Sequence, residues 1–188
     1  MEVQFIDYIK KNNLFDNSHN LLLAYSAGVD SSVLFNLLLN CKYKFSVAHC
    51  NYKLRGQHSD NDQRFTIEKA KIHKVKYYTR EFDISKINFK KSQSVQMKCR
   101  QLRYKWFNEL SKKYGYDFIL TAHHLNDSIE TFFINIFRGT GIEGLTGIPI
   151  KRDKFIRPLL FATKNSILEY AKKNDVHYRV DKSNESKN

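Results

Sequence analysis

Short apolar runs alternate with longer helix-periodic stretches along this chain, and that alternation leaves few folds open. Residues 21–25, 45–49, 76–82 and 118–122 each read as a strand, with shorter ones at 155–157 and 176–180. Between them lie stretches with apolar residues three and four apart, the spacing of one helix face. An opening helix carries Val3, Ile6 and Ile9 on one side, and a later one repeats Val95, Cys99, Leu102, Trp106 and Leu110. Further helices are expected over 31–40, 59–73, 126–138 and 164–173. In the helix over 126–138, Ile129, Phe132, Phe133 and Ile136 read as the core stripe.

Strands alternating with helices predict a doubly wound α/β fold, a mainly parallel sheet with helices on both faces. Such sheets bind ligands beyond the carboxyl ends of their strands. The chemically suggestive residues fall there, at 26–31, 49–55 and 123–130. With no internal repeat or linker, residues 1–188 are expected to form one domain, and only the polar tail over 182–188 to fray.

No apolar run approaches the ~20 residues of a membrane helix. The N-terminus lacks the basic and apolar regions of a secretion signal. Three scattered cysteines, Cys41, Cys50 and Cys99, form no C-x-x-C pair and suit a reducing compartment. A cytoplasmic protein without a membrane partner is expected. The formal net charge is +13, which suits either a polyanionic partner such as nucleic acid or plain solubility.

The most informative segment is Ala24-Tyr25-Ser26-Ala27-Gly28-Val29-Asp30-Ser31-Ser32. It leaves an apolar strand and enters a helix, and small residues there let backbone amides approach an anion at a helix N-terminus. No lysine stands in the loop as in a Walker A motif. Asp30 would repel phosphate unless it helped place Mg²⁺. Ser26–Ala27–Gly28–Val29–Asp30–Ser31 resembles the S-G-G-x-D-S loop of the ATP-pyrophosphatase (PP-loop) family, with Ala27 in place of a glycine. That family cleaves ATP between the α and β phosphates and has the adenine nucleotide alpha hydrolase-like fold.

Further segments narrow the resemblance to tRNA(Ile)-lysidine synthetases. His49-Cys50-Asn51-Tyr52-Lys53-Leu54-Arg55-Gly56 is similar to H-x-N-H-x-L-R-G, with Tyr52 for histidine. Cys99-Arg100-Gln101-Leu102-Arg103-Tyr104 is similar to A-R-x-x-R-Y, with Cys99 for alanine. Residues 121–131 resemble T-A-H-H-x-D-D-x-x-E-T, with Asn126 for the first aspartate. Arg138-Gly139-Thr140-Gly141, Gly144-Leu145, Gly147, Arg157-Pro158-Leu159-Leu160 and Asp181-Lys182-Ser183-Asn184 complete the pattern. Chains of that family continue past D-x-S-N into tRNA-gripping regions. The present sequence therefore looks like the catalytic domain alone.

The resemblance implies ATP-dependent adenylation of the wobble cytidine of an isoleucine tRNA with a CAU anticodon, then attack by free L-lysine. Ser26, Ala27, Gly28, Val29, Asp30, Ser31 and His49 would bind ATP, with Asp30 also at Mg²⁺. Arg100, with Arg103 as the alternative, would neutralise the α-phosphate, unless both lie on a solvated helix face. Arg55, Arg103 and Arg138 are the candidate tRNA or phosphate contacts. Of the adjacent His123 and His124, one at most takes part in catalysis, and His123 is the candidate. Asp127 and Glu130, three apart on a helix, would either hold a substrate ammonium or simply complement the helix dipole. The glycines at 139, 141, 144 and 147 mark either a mobile loop or tight turns. Rival readings are a tRNA thiolase, an amide-forming synthetase of the NAD or GMP type, and a nucleotide-binding module without chemistry.

Overall fold

The protein was analysed as a computed structural model that describes residues 1–86, 93–140 and 146–180. Gly141, Gly144, Leu145 and the D-x-S-N segment at 181–184 lie outside the described residues. The elements run α1 (Glu2–Lys11), β1 (Leu21–Ala24), α2 (Val29–Asn40), β2 (Phe45–Asn51), α3 (Gln57–Ile72), β3 (Lys76–Glu81), α4 (Val95–Tyr114), β4 (Phe118–Leu120), α5 (Leu125–Phe137), β5 (Lys151–Arg152), β6 (Phe155–Ile156) and α6 (Lys164–Lys173). They form one sheet in the order β3-β2-β1-β4-β6-β5, parallel except for the β5–β6 pair. The expected doubly wound sheet is observed, with the short β5–β6 hairpin as an addition.

Alternation along the strands explains why the sheet is covered on both sides. Leu21, Leu23, Val47, Leu120 and Ile156 point into one core with α1, α2 and α6. Leu22, Ala48, Ile119 and Phe155 point into a second core with Trp106, Phe107 and Leu110 of α4. Strand order reverses between β1 and β4, so the loops after those strands diverge and open a crevice at their carboxyl ends.

Several expectations need correction. In α1 the buried residues are Phe5 and Ile9, while Val3 is exposed; the i, i+4 pair wins because it faces α2. The stripe on α4 is buried only in its second half, and Val95 stands exposed. Helix α5 has no fully buried side chain: Ile129, Phe133, Ile136 and Phe137 are exposed and Phe132 is half-buried. Its apolar period is real, but among the described residues most of that face is uncovered. Residues 176–180 form no strand, although Val176 is buried and the Arg179 amide donates to Ala27 O at 2.9 Å. That segment meets the loop after β1 rather than a sheet edge, so it has no ladder to join.

Candidate functional site

The loop between β1 and α2 is tied together by its own hydroxyls. Ser31 Oγ donates to Gly28 O at 3.1 Å and accepts the Ser26 amide at 3.2 Å, with Ser26 Oγ 3.1 Å away. Ser31, expected as a phosphate donor, is thus first a brace for the loop. Ala27 sits at φ 69°, fully buried, which explains why glycine is the usual residue there. An alanine in that region carries about 1–2 kcal/mol of strain. Gly28 is the N-cap of α2 and makes no side-chain cap bond. The first amides of α2, from Val29 to Ser31, have no intrahelical acceptor and face the position an anion would take.

Two cavities border this loop, and a third shares His123 and Arg100 with them. The first, about 430 Å³, runs beside β2 and α4 and includes Tyr25, Ser26, His49, Asn51, Arg55, Cys99, Arg100 and Arg103. The second, about 170 Å³, lies over the loop between Ser26, Asp30, Ser31, Arg103 and His123. The third, about 520 Å³, is bounded by Arg100, His123, Asp127, Glu130, Arg152 and Arg157. Ser26 and Arg103 line the first and second; His123 lines the second and third.

His49 is buried, and its Nδ1 lies 3.0 Å from Tyr25 O. A carbonyl accepts, so Nδ1 carries the proton and Nε2 is left in acceptor form. Burial lowers its pKa and keeps the ring neutral. Arg55 lines the same cavity, but its Nη2 is held by Asp62 Oδ2 at 2.9 Å. Asp62 is also reached by Arg179 Nε at 3.2 Å. This pairing makes Arg55 part of the wall.

Arg103 enters both the first cavity and the phosphate-loop cavity, whereas Arg100 faces the first and third. Both share the first cavity with Ser26, but only Arg103 also shares a cavity with Asp30 and Ser31. Both guanidiniums lie over the Tyr104 ring, at 4.7 and 6.0 Å for Arg100 and Arg103, which fixes their direction without a carboxylate.

His123 and His124 part ways, as adjacent residues at a strand end do. His124 is buried and caps α5: its Nδ1 accepts the Asp127 amide at 3.4 Å while Asp127 Oδ2 accepts the His124 amide at 2.9 Å. His123 stands at the junction of the two cavities, its Nδ1 2.9 Å from Thr121 Oγ1. Burial, then the Arg157 charge, push its pKa down to about 4, with Arg103 and Arg100 adding to the effect against Asp127. The imidazole is neutral at pH 7.

Asp127 and Glu130 share the third cavity, as their spacing predicts, although Asp127 also serves the capping box. Arg138 follows α5, is exposed, and lines none of these three cavities.

Two residues at the site take no role from the sequence: Arg157, present only within the R-P-L-L match, and Lys164. Arg157 is only 4 % exposed. Its Nη1 donates to Pro149 O at 2.7 Å, and among the described residues its Nε meets no well-aligned hydrogen-bond partner. Tyr104 lies near enough to favour the cation, but its hydroxyl likewise meets no aligned partner. A mostly buried guanidinium at a cavity wall is suited to an anion there. The second is Lys164, whose Nζ lies 2.6 Å from Asp30 Oδ1. Nothing local signals the Lys164 contact, since Lys164 is 134 residues from Asp30.

Asp30 is therefore balanced by an ammonium, with His124 Nε2 3.7 Å away. Among the described residues no three His, Cys, Asp or Glu side chains converge as a metal cage. A lone carboxylate still suits Mg²⁺, which keeps several waters and leans on substrate phosphates.

A parallel sheet, a crevice at its switch point and an uncapped small-residue loop define a nucleotide-binding α/β protein of the phosphate-cradling kind. The sequence matches a family described as PP-loop domain over residues 1–188, so the chain belongs to the PP-loop family. It is 35% identical over 98% of its length to a tRNA(Ile)-lysidine synthase of Bacteroides thetaiotaomicron, and 40% identical over 94% to one of Porphyromonas gingivalis. It spans 43% and 39% of those two relatives. Among solved structures, the U34-tRNA thiolase NcsA of Methanococcus maripaludis superposes with a TM-score of 0.77 at 18% identity, covering 94% of this chain and 65% of that one. The NH3-dependent NAD synthetase of Campylobacter jejuni gives 0.61 at 15% identity, covering 98% and 79%. At such identities the likeness concerns the fold.

Proposed function

We propose that this chain is the catalytic part of an enzyme that adenylates the wobble cytidine of an isoleucine tRNA with a CAU anticodon and delivers L-lysine to it. The observation that carries the reading is the continuity of the three cavities, with the phosphate loop in the middle and His123 at the passage to the third. The names of the relatives, tRNA(Ile)-lysidine synthase, support the choice of substrates. The +13 charge suits the RNA.

In this reading the nucleoside of ATP fills the first cavity, where His49 Nε2 offers an acceptor. The triphosphate lies on the amides of Val29 to Ser31. Mg²⁺, held by Asp30 and phosphate oxygens, would neutralise the leaving pyrophosphate. The cytidine O2 attacks the α-phosphorus, the α–β phosphoanhydride bond breaks, and pyrophosphate leaves. Arg103 stabilises the charge that gathers on the α-phosphate, where a fixed cation costs no reorganisation. The lysine ε-amine then attacks C2; the C2–O bond breaks, AMP departs, and the amine loses a proton.

The third cavity carries both signs of charge, which suits an amino acid. Asp127 and Glu130 would face an ammonium, and Arg157, whose guanidinium borders the cavity with Arg152 and Arg100, would supply positive charge for the carboxylate. A neutral His123 cannot repel the incoming amine. With a pKa of about 4 it is a weak base, so its part is to accept and orient.

The test is to incubate the chain with α-labelled ATP, lysine and unmodified isoleucine tRNA. AMP and pyrophosphate are expected, dependent on the tRNA. Formation of ADP and phosphate instead would overturn the reading. So would AMP release that proceeds equally with a tRNA lacking the cytidine.

A further inference from the structure

We propose that Arg179, anchored on Asp62, is a positioning residue for the phosphate loop: its backbone amide holds the Ala27–Gly28 peptide in the orientation that turns the Gly28 N–H toward a bound triphosphate. The inference rests on the reading of the loop as an ATP site and adds to it a residue that touches no ligand.

A trans peptide is planar, so its C=O and N–H point in opposite directions. Ala27 O accepts the Arg179 amide at 2.9 Å. The Gly28 N–H is thereby sent the other way, to Ser26 Oγ at 3.4 Å, a long bond that a charged acceptor can replace. Ser26 lines the first and second cavities, so this amide stands on their side of the loop. A reversed peptide would turn the carbonyl oxygen, and its negative end, toward the phosphates. Ala27 needs an external tie. It is fully buried at φ 69°, a conformation that persists only where the surroundings impose it. The Ser26 and Ser31 hydroxyls bond within the loop and would turn with it. The Arg179 amide comes from outside.

The position of that amide is set by a strap over 174–180, just past α6. Val176 is buried, and its amide returns to Ala171 O at 2.9 Å. Lys69 of α3 donates from Nζ to His177 O at 2.9 Å. Arg179 Nε then meets Asp62 Oδ1 at 3.2 Å. Asp62 is only 8 % exposed, and its other oxygen takes Arg55 Nη2 at 2.9 Å, so the carboxylate is a fixed anchor. Packing alone accounts for Val176 but not for this pair. The Arg179 side chain is 38 % exposed, where an ion pair adds little to stability. What the pair does determine is where the strap presents its N–H to Ala27. Arg179 lines none of the three cavities, so its influence on a nucleotide must pass through the loop.

The test titrates the 188-residue chain with ATP and with adenosine, magnesium present throughout, for the native protein, Arg179→Met, Asp62→Asn and the double variant. Arg179→Met should weaken ATP about tenfold, the scale of one hydrogen bond to a charged group, and leave adenosine within about twofold. Arg179→Lys should recover part of that loss. In the Asp62→Asn background, Arg179→Met should alter ATP affinity by less than about twofold, because the anchor is already gone. Hydrogen exchange reads the peptide itself: ATP should slow the Gly28 amide in the native chain and slow it far less in Arg179→Met. ATP and adenosine weakened alike would mark a general structural role and overturn the proposal. Unchanged ATP binding in Arg179→Met, the same tenfold loss in both backgrounds, or equal slowing of Gly28 in the two chains would overturn it too. Should Arg179→Met fail to fold, Asp62→Asn, which keeps the side-chain shape, carries the comparison of ATP with adenosine and the Gly28 measurement. If the native chain binds no ATP, the site reading falls and this inference with it. If it does and Arg179→Met matches it, this inference alone falls.

Discussion

Replacing Gly147 by alanine should destabilise the protein well beyond the cost of its backbone angle. Gly147 has φ 65°, and a Cβ built there would stand 2.6 Å from Ser128 Oγ and 3.2 Å from Ser128 O. An L-residue in that region costs about 1–2 kcal/mol. The hydroxyl must rotate away, at about 0.5–1.5 kcal/mol for a poor rotamer. It then abandons the Ile148 amide, which donates to it at 3.0 Å. That bond is worth about 1 kcal/mol. The sum is about 2.5–4.5 kcal/mol. Gly115 is the control, since it has φ 70° but nothing within 4 Å of a built Cβ. Gly115→Ala should cost only the first part, about 1–2 kcal/mol. The stabilisation an alanine gains through the unfolded chain is common to both and cancels in the comparison. Urea unfolding should thus separate the variants by about 1.5–2.5 kcal/mol, or about 3–10 °C in Tm. Adding Ser128→Ala removes the clashing hydroxyl, so the double variant should be more stable than the two single losses summed. Equal stability of Gly147→Ala and Gly115→Ala, or strict additivity with Ser128→Ala, would refute the steric account. Gly147 borders the third cavity, so the same variant should also blunt any amino-acid binding there.

His123 should titrate near pH 4 by NMR, well below an unperturbed imidazole, because burial and then Arg157 oppose its charge. The unfolded chain takes up that proton first, so stability should fall as pH drops from about 6.5 towards 4. An ordinary imidazole pKa for His123 would contradict the burial. Phe35→Ala should cost about 3–5 kcal/mol in urea unfolding, since the ring is 1 % exposed. Phe133→Ala should cost under about 1 kcal/mol, since that ring is 49 % exposed on a helix with no fully buried side chain. Similar losses for the two would mean that α5 is covered after all.

Features that depend only on neighbours along the chain are legible before folding is considered. Residues 21–32 announce a strand, a small-residue turn and a helix start, because each of those needs only local geometry. The alternation of Leu21, Leu22 and Leu23 between two cores follows from the pleat, so a two-faced sheet was legible too. The three-residue spacing of Asp127 and Glu130 sufficed to put both on one cavity wall. Tertiary structure alone decided which apolar faces find a partner. Periodicity shows that Ile129, Phe133 and Ile136 share a side of a helix, but burial needs a second surface, and that surface is a property of the fold. It likewise decided the charges around the phosphate loop. Lys164 carries no local signal, and the R-P-L-L match includes Arg157 without telling what it faces, because an ion's partner is set by what the folded chain brings within a few ångströms. Sequence separation says nothing of that distance.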